Sequence, residues 1–189
     1  MQASLVRWTF LVVFVLIAAA TRIFQPMSNF TAMGALAVIS ALMAPRAAYA
    51  FLLTAAAMLL GDIFLALSRG SIGWSPSWES YLGFSLIVAM GLAIRSPRPS
   101  AWKTALVGLA GGMVFFLVTN GAVWARSAMK GETYSADLLG LLECYEAGIP
   151  FYRPMLQGDL VYLPLFYVAM LGVLVLENRF ASGLAKQES

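Results

Sequence analysis

Residues 47–67 read Ala47-Ala48-Tyr49-Ala50-Phe51-Leu52-Leu53-Thr54-Ala55-Ala56-Ala57-Met58-Leu59-Leu60-Gly61-Asp62-Ile63-Phe64-Leu65-Ala66-Leu67, with a single charged residue. At about 1.5 Å per residue, some 20 apolar residues span the roughly 30 Å hydrocarbon core of a bilayer. This stretch predicts a membrane-crossing helix that carries one carboxylate near its end.

Working outward, windows of about 19 residues give six apolar spans at 4–20, 30–44, 47–67, 81–94, 104–124 and 160–177. The second and fourth are short for a bilayer. Either their ends extend into flanking polar sequence, or they sit in a thin, protein-lined part of a bundle. Composition agrees: the 189 residues are 61% hydrophobic and 11% charged, against about 25% charged in soluble domains. No alternating strand pattern recurs, and lipid-exposed backbone must satisfy itself internally. The expected fold is all-α, a polytopic membrane protein with six transmembrane helices in one domain. Ala18-Ala19-Ala20 could end a signal peptide, but the apolar run is long and continues through Ile23-Phe24, so the first span is read as retained.

Charge sets the expected orientation. The cytoplasmic side receives Arg7, Arg46, Arg95, Arg98, Lys103, Arg179 and Lys186, the outer side Arg22, Arg69, Arg126, Lys130 and Arg153. Arg95, Arg98 and Lys103 crowd the short link between spans four and five, where the positive-inside rule carries most weight. Both termini are then cytoplasmic. Trp8 and Trp102 mark the inner interface, Trp74, Trp78 and Trp124 the outer one.

Other counts exclude chemistry. The chain has no histidine and one cysteine, and its net charge of +3 is scattered. Imidazole relays, His-based zinc sites and an internal disulfide are absent. No basic stripe suits nucleic acid. Gly108-Leu109-Ala110-Gly111-Gly112 lacks the lysine of a phosphate-binding loop. Inverted repeats are not visible, and no charged residues run from face to face. No catalytic residue set emerges, and no enzyme activity is expected.

Polar residues converge instead on the outer third. Asp62 and Asn120 lie at similar depth, Asn29 opens span two as its expected cap, Tyr81 opens span four, and Asp159 and Tyr162 open span six. A carboxylate within a span costs about 3 kcal/mol, so Asp62 should face inward and have a partner. It is either a structural ion pair or a ligand group. An outer loop over 125–159 includes the amphipathic stretch 138–150, followed by Phe151-Tyr152-Arg153-Pro154. Aromatics beside one arginine suit a flat, anionic ligand. The alternative is a packed loop with Arg153 bridging to Asp62, Glu143 or Asp159. Cys144 is either a small buried hydrophobe or a soft ligand to a metal borne by a substrate. The expected substrate site comprises Asp62, Asn120, Arg153, Tyr81, Asn29, Trp74, Trp78, Tyr145, Tyr152 and Asp159.

Several motifs carry a resemblance: Asn29-Phe30-Thr31-Ala32-Met33-Gly34-Ala35-Leu36-Ala37, Met58-Leu59-Leu60-Gly61-Asp62, Tyr81-Leu82-Gly83-Phe84, and Phe115-Phe116-Leu117-Val118-Thr119-Asn120-Gly121-Ala122-Val123-Trp124. With Cys144-Tyr145 through Pro150-Phe151 to Gly158-Asp159, they cover most of the chain. The chain resembles the substrate-binding S component of an energy-coupling factor (ECF) transporter, within a related family of bacterial transport proteins. That resemblance implies a subunit of the bacterial cytoplasmic membrane that captures a vitamin. It would work with a transmembrane T component and two ATPases. It further implies no cofactor of its own, with cobalamin the best specific substrate. Some cobalamin-type relatives offer an outer thiol to cobalt. The loop between spans three and four has Ser71, Ser75, Ser77 and Ser80 but no cysteine, leaving only Cys144. Ala37-x-x-x-Ala41 is the nearest match to the motif by which S components dock the T component. Two other readings stay open: a proton-coupled carrier using Asp62, and a non-transport membrane assembly protein.

Overall fold

The architecture turns on the break at Ala44-Pro45. A residue before proline is pushed out of the helical region, and Ala44 is extended, with φ −61° and ψ 137°. A computed structural model of the protein describes residues 2–68 and 77–185. Six helices are present there: α1 Gln2–Ile23, α2 Met33–Met43, α3 Ala47–Ser68, α4 Trp78–Ala93, α5 Ala101–Lys130 and α6 Leu138–Ala185. No strand occurs among the described residues. Four of the helices, α1, α3, α5 and α6, are long and apolar enough to cross a membrane, which is the character of a membrane protein.

Successive helices run antiparallel, as their end contacts show. At one end Arg7 pairs with Glu177, Trp8 meets Tyr49, and the Tyr167 hydroxyl donates to Pro99 O. At the other end Arg22 pairs with Asp62, and Arg126 with Glu79 at 2.7 Å. The second of these is called the cleft end below.

α2 is the central post. It touches all five other helices, and each of its eleven residues is buried. A helix apolar all round belongs inside a bundle, and at about 16 Å it covers half a bilayer core. Ala37 and Ala41 are fully buried there, with Ala41 facing Gly91 of α4. The Ala37-x-x-x-Ala41 motif is therefore used within the chain and does not present a docking face. Around α2, Leu11, Phe14, Met58, Ile87, Phe166 and Met170 complete the core, with the Phe14 and Phe166 rings stacked at 4.3 Å. Apolar side chains such as Leu16, Phe64, Leu106 and Val168 point outward, a surface suited to lipid.

The stretch 125–159, expected as a loop, is mostly helix. α5 continues to Lys130 and ends on Gly131 at φ +66°. There Glu132 N donates to Ser127 O at 3.0 Å and Gly131 N to Ala128 O at 3.4 Å, a Schellman closure. The connection is short, and α6 begins at Leu138, taking in Pro150, Pro154 and Pro164 without a break. Helices packed against neighbours tolerate proline because other groups meet the freed carbonyls. The expected sixth span, 160–177, is thus the far part of a 48-residue helix.

Asp137 starts that helix. Its Oδ1 accepts from Gly140 N at 2.8 Å and from the Ser135 hydroxyl at 2.7 Å, the pattern of an N-cap. The Gly140 amide, then the Ser135 hydroxyl, hold its carboxyl below the usual carboxylate value. A depressed folded-state value means the cap is complete above the unfolded value of about 4 and is lost as pH falls through the lower folded value. Hydrogen exchange at the Gly140 amide should therefore stay slow from neutral pH down to that range and accelerate below it. Asp137→Ala should make it fast throughout.

Candidate functional site

Two helical stripes build a cleft. On α5, Gly112, Phe116, Thr119, Asn120 and Val123 recur every three or four residues and so share a face. On α6, Gly148, Tyr152, Met155 and Asp159 do the same. The helices run antiparallel with these faces opposed. The Tyr145 hydroxyl donates to Leu117 O at 2.9 Å, the Cys144 thiol to Asn120 O at 3.4 Å, and the Phe116 and Tyr152 rings lie 5.0 Å apart. Glycine permits the approach: a Cβ on Gly148 would run into the Asn120 amide oxygen.

The resulting cavity, about 220 Å³, is lined by Phe115, Phe116, Thr119 and Asn120 of α5 and by Gly148, Phe151, Tyr152 and Met155 of α6, with Asn29 and Ser80 closing its sides. Asn120 spends its Nδ2 on Phe116 O at 2.9 Å. Asn29 does not cap α2, because the position before that helix is Ala32. Asn29 instead adopts φ +68° in the α1–α2 turn, a conformation asparagine tolerates better than most residues. Its Nδ2 reaches Phe151 O at 3.4 Å, and its backbone N–H donates to Gln25 Oε1 at 2.7 Å.

Of the expected residues, Asn29, Asn120 and Tyr152 line the cavity. Tyr145 stands behind its wall, 5.6 Å from the Phe116 ring. Asp159 is buried one turn beyond Met155, and its Oδ2 has no hydrogen-bond partner among the described residues. Asp62 and Tyr81 lie elsewhere, in a cluster joining α1, α3 and α4. Arg22 pairs with Asp62 Oδ1, the Tyr81 hydroxyl donates to Oδ2 at 3.1 Å, and Arg22 also reaches Met58 Sδ at 3.2 Å. Asp62 is thus a structural ion pair joining three helices. Arg153 is exposed and forms no ion pair with Asp62, Glu143 or Asp159 among the described residues. It follows Tyr152 on α6 but is not among the residues that line the cavity. Trp78 is exposed at the start of α4, and Trp74 lies outside the described residues. Cys144 is buried against α5 and does not line the cavity. No three acidic, Cys or His residues gather as a metal site among the described residues.

Sequence reading did not single out Phe115, Phe116, Thr119, Met155 or Ser80 as lining. The signal was the helical repeat through Asn120, which marks its neighbours at three and four residues as sharing its face. Two larger cavities, about 370 and 360 Å³, open at the opposite end beside Arg7, Arg95 and Lys103. There Arg7 is committed to Glu177 and Arg95 to Ala44 O. Aromatic walls with a few polar groups, the usual make-up of a small-molecule site, single out the cleft.

No curated protein and no solved structure matches the chain. A family of unknown function, DUF6580, matches residues 2–182. Covering nearly the whole bundle, that match makes the chain a member of the DUF6580 family.

Proposed function

We propose that the protein is the substrate-binding membrane subunit of an ECF-type importer. On this reading it captures a micronutrient at the outer face of the bacterial cytoplasmic membrane and delivers it with a T component and two ATPases. One observation carries the reading: an aromatic, polar-edged cleft at the end of the bundle opposite Arg7, Arg46, Arg95 and Lys103. With those basic residues inside, the cleft opens outward, the chain crosses the membrane six times, with α2 making its short pass inside the bundle, and both termini are cytoplasmic. The absence of a phosphate-binding loop leaves energy to partners. A cavity of about 220 Å³ favours a small nutrient over a corrinoid, which is far larger, and Cys144 is turned away from it.

The test is native mass spectrometry of the protein purified in mild detergent, followed by uptake assays with and without the co-expressed partners. A retained small molecule, and uptake only with the partners, is expected. Uptake by the chain alone in proteoliposomes, driven by a pH gradient, would overturn the reading in favour of a carrier.

Within this reading the lining makes a sharp prediction. Tyr152→Ala removes a wall aromatic and should weaken ligand binding about tenfold or more, roughly 1.4 kcal/mol. Arg153→Ala should leave affinity within about twofold, since Arg153 does not line the cavity. Equilibrium binding to both variants in detergent decides it. The reverse order would restore the arginine as the ligand contact.

A further inference from the structure

Beside the cleft, one turn beyond Met155, lies a buried carboxyl group that no protein group answers. Asp159 is 4% exposed, its Oδ2 lacks a hydrogen-bond partner, and no Lys or Arg pairs with it among the described residues. Glycines on two neighbouring helices make room for it. A Cβ on Gly34 of α2 would collide with the carboxylate. A Cβ on Gly112 of α5 would sit 3.4 Å from Asp159 Oδ2 and 3.8 Å from the ring of Tyr152. Gly112 thus lets the carboxyl group pack beside Tyr152, a wall residue of the cleft. The lining itself contains no cation.

A buried carboxylate without a partner is costly, and an ionisable group within a membrane bundle marks a functional site by default. Aromatic faces attract cations as well. A bound cation would hold the Asp159 carboxylate ionised beside it, whereas an anion would find no Lys or Arg in the lining. We propose that the cleft takes a small organic cation, an ammonium compound with an apolar or aromatic body, whose charge is met by Asp159 beside Tyr152. This rests on the binding-subunit reading and names its substrate class.

The test uses the full chain in detergent or nanodiscs with four probes of similar size: phenethylamine, tyramine, hydrocinnamate and phenethyl alcohol. Binding is read by thermal shift and calorimetry, with a sodium chloride series as a separate arm. The two amines should bind at least tenfold more tightly than hydrocinnamate or the alcohol. Asp159→Asn should lose that preference by tenfold or more while the unliganded protein melts at the same or a higher temperature. A purely structural carboxylate would instead lower it.

Preferential binding of hydrocinnamate or the alcohol would overturn the cation assignment and leave the binding-subunit reading standing. So would amine binding that survives Asp159→Asn. Saturation by sodium alone, with no effect of amines, would overturn it in favour of an inorganic ion site. A protein that none of the probes stabilises, and that also retains no molecule on purification, would remove both readings.

Discussion

Arg22→Met should destabilise the protein by about 3–5 kcal/mol, the usual consequence of stranding one member of a buried ion pair. The side chains of Arg22 and Asp62 are 18% and 12% exposed, so water cannot replace the lost partner. The hydroxyl of Tyr81 would be the carboxylate's remaining contact. Asp62→Asn should be similarly harmful, because it strands the guanidinium between α1 and α3. The double variant Arg22→Met/Asp62→Leu should recover most of the loss, since paired apolar replacements often match a buried salt bridge. Thermal or chaotrope unfolding in detergent, arranged as a double-mutant cycle, measures this. Single losses that simply add would show that the pair does not join the helices. Near-neutral Asp62→Asn would return that residue to the candidates for proton coupling.

Gly91→Val should cost at least about 3 kcal/mol, at or beyond the upper end of usual overpacking effects. A Cβ there would lie 2.7 Å from Ala41 Cβ and 3.3 Å from Val38 O. Those atoms belong to α2, which is buried on every side and has no free direction in which to retreat. A β-branched side chain worsens the crowding. The matched control is Gly172→Ala on α6, where a Cβ meets nothing within 4 Å. Helix propensity should then dominate, with a gain of up to about 1 kcal/mol. Opposite signs from two helical glycines, read in the same unfolding assay, test whether close approach to α2 organises the bundle.

The two glycines also show what a sequence conceals. Hydropathy finds α1, α3 and α5 because each carries its own apolar length. It finds α2 as well, but the helix's central place depends on all its neighbours at once. Asp62 announced itself as a polar intruder in an apolar helix, and its need for a partner followed. That the partner is Arg22, placed in an outer loop by charge counting, is a tertiary fact. Pro150 and Pro154 misled most. Read locally they are breakers, yet α6 runs through both, and the real stop was Gly131 in its left-handed turn.

At the cleft, Asn29, Asn120, Tyr152 and Asp159 were readable as polar or aromatic residues at one membrane depth. Depth does not fix azimuth, however. Arg153 and Trp78 lie at that depth and face outward, while Asp62 and Tyr81 serve a different helix junction. The lining became visible only when α5 and α6 were set face to face.

The length of α6 has a mechanical corollary. Its backbone comes close to the α1–α2 connection at Gly158, where a Cβ would lie 2.8 Å from Thr31 O. If that crossing acts as a fulcrum, the arm reaching back to Gly148 at the cleft is about 15 Å, and the arm reaching out to Glu177 is about 28 Å. A tilt that widens the cleft by about 1 Å then swings the far arm by about 2 Å. The Arg7–Glu177 pair sits at the tip of that longer arm. Occupancy at one end of the bundle would thereby be geared up, roughly twofold, into displacement at the other.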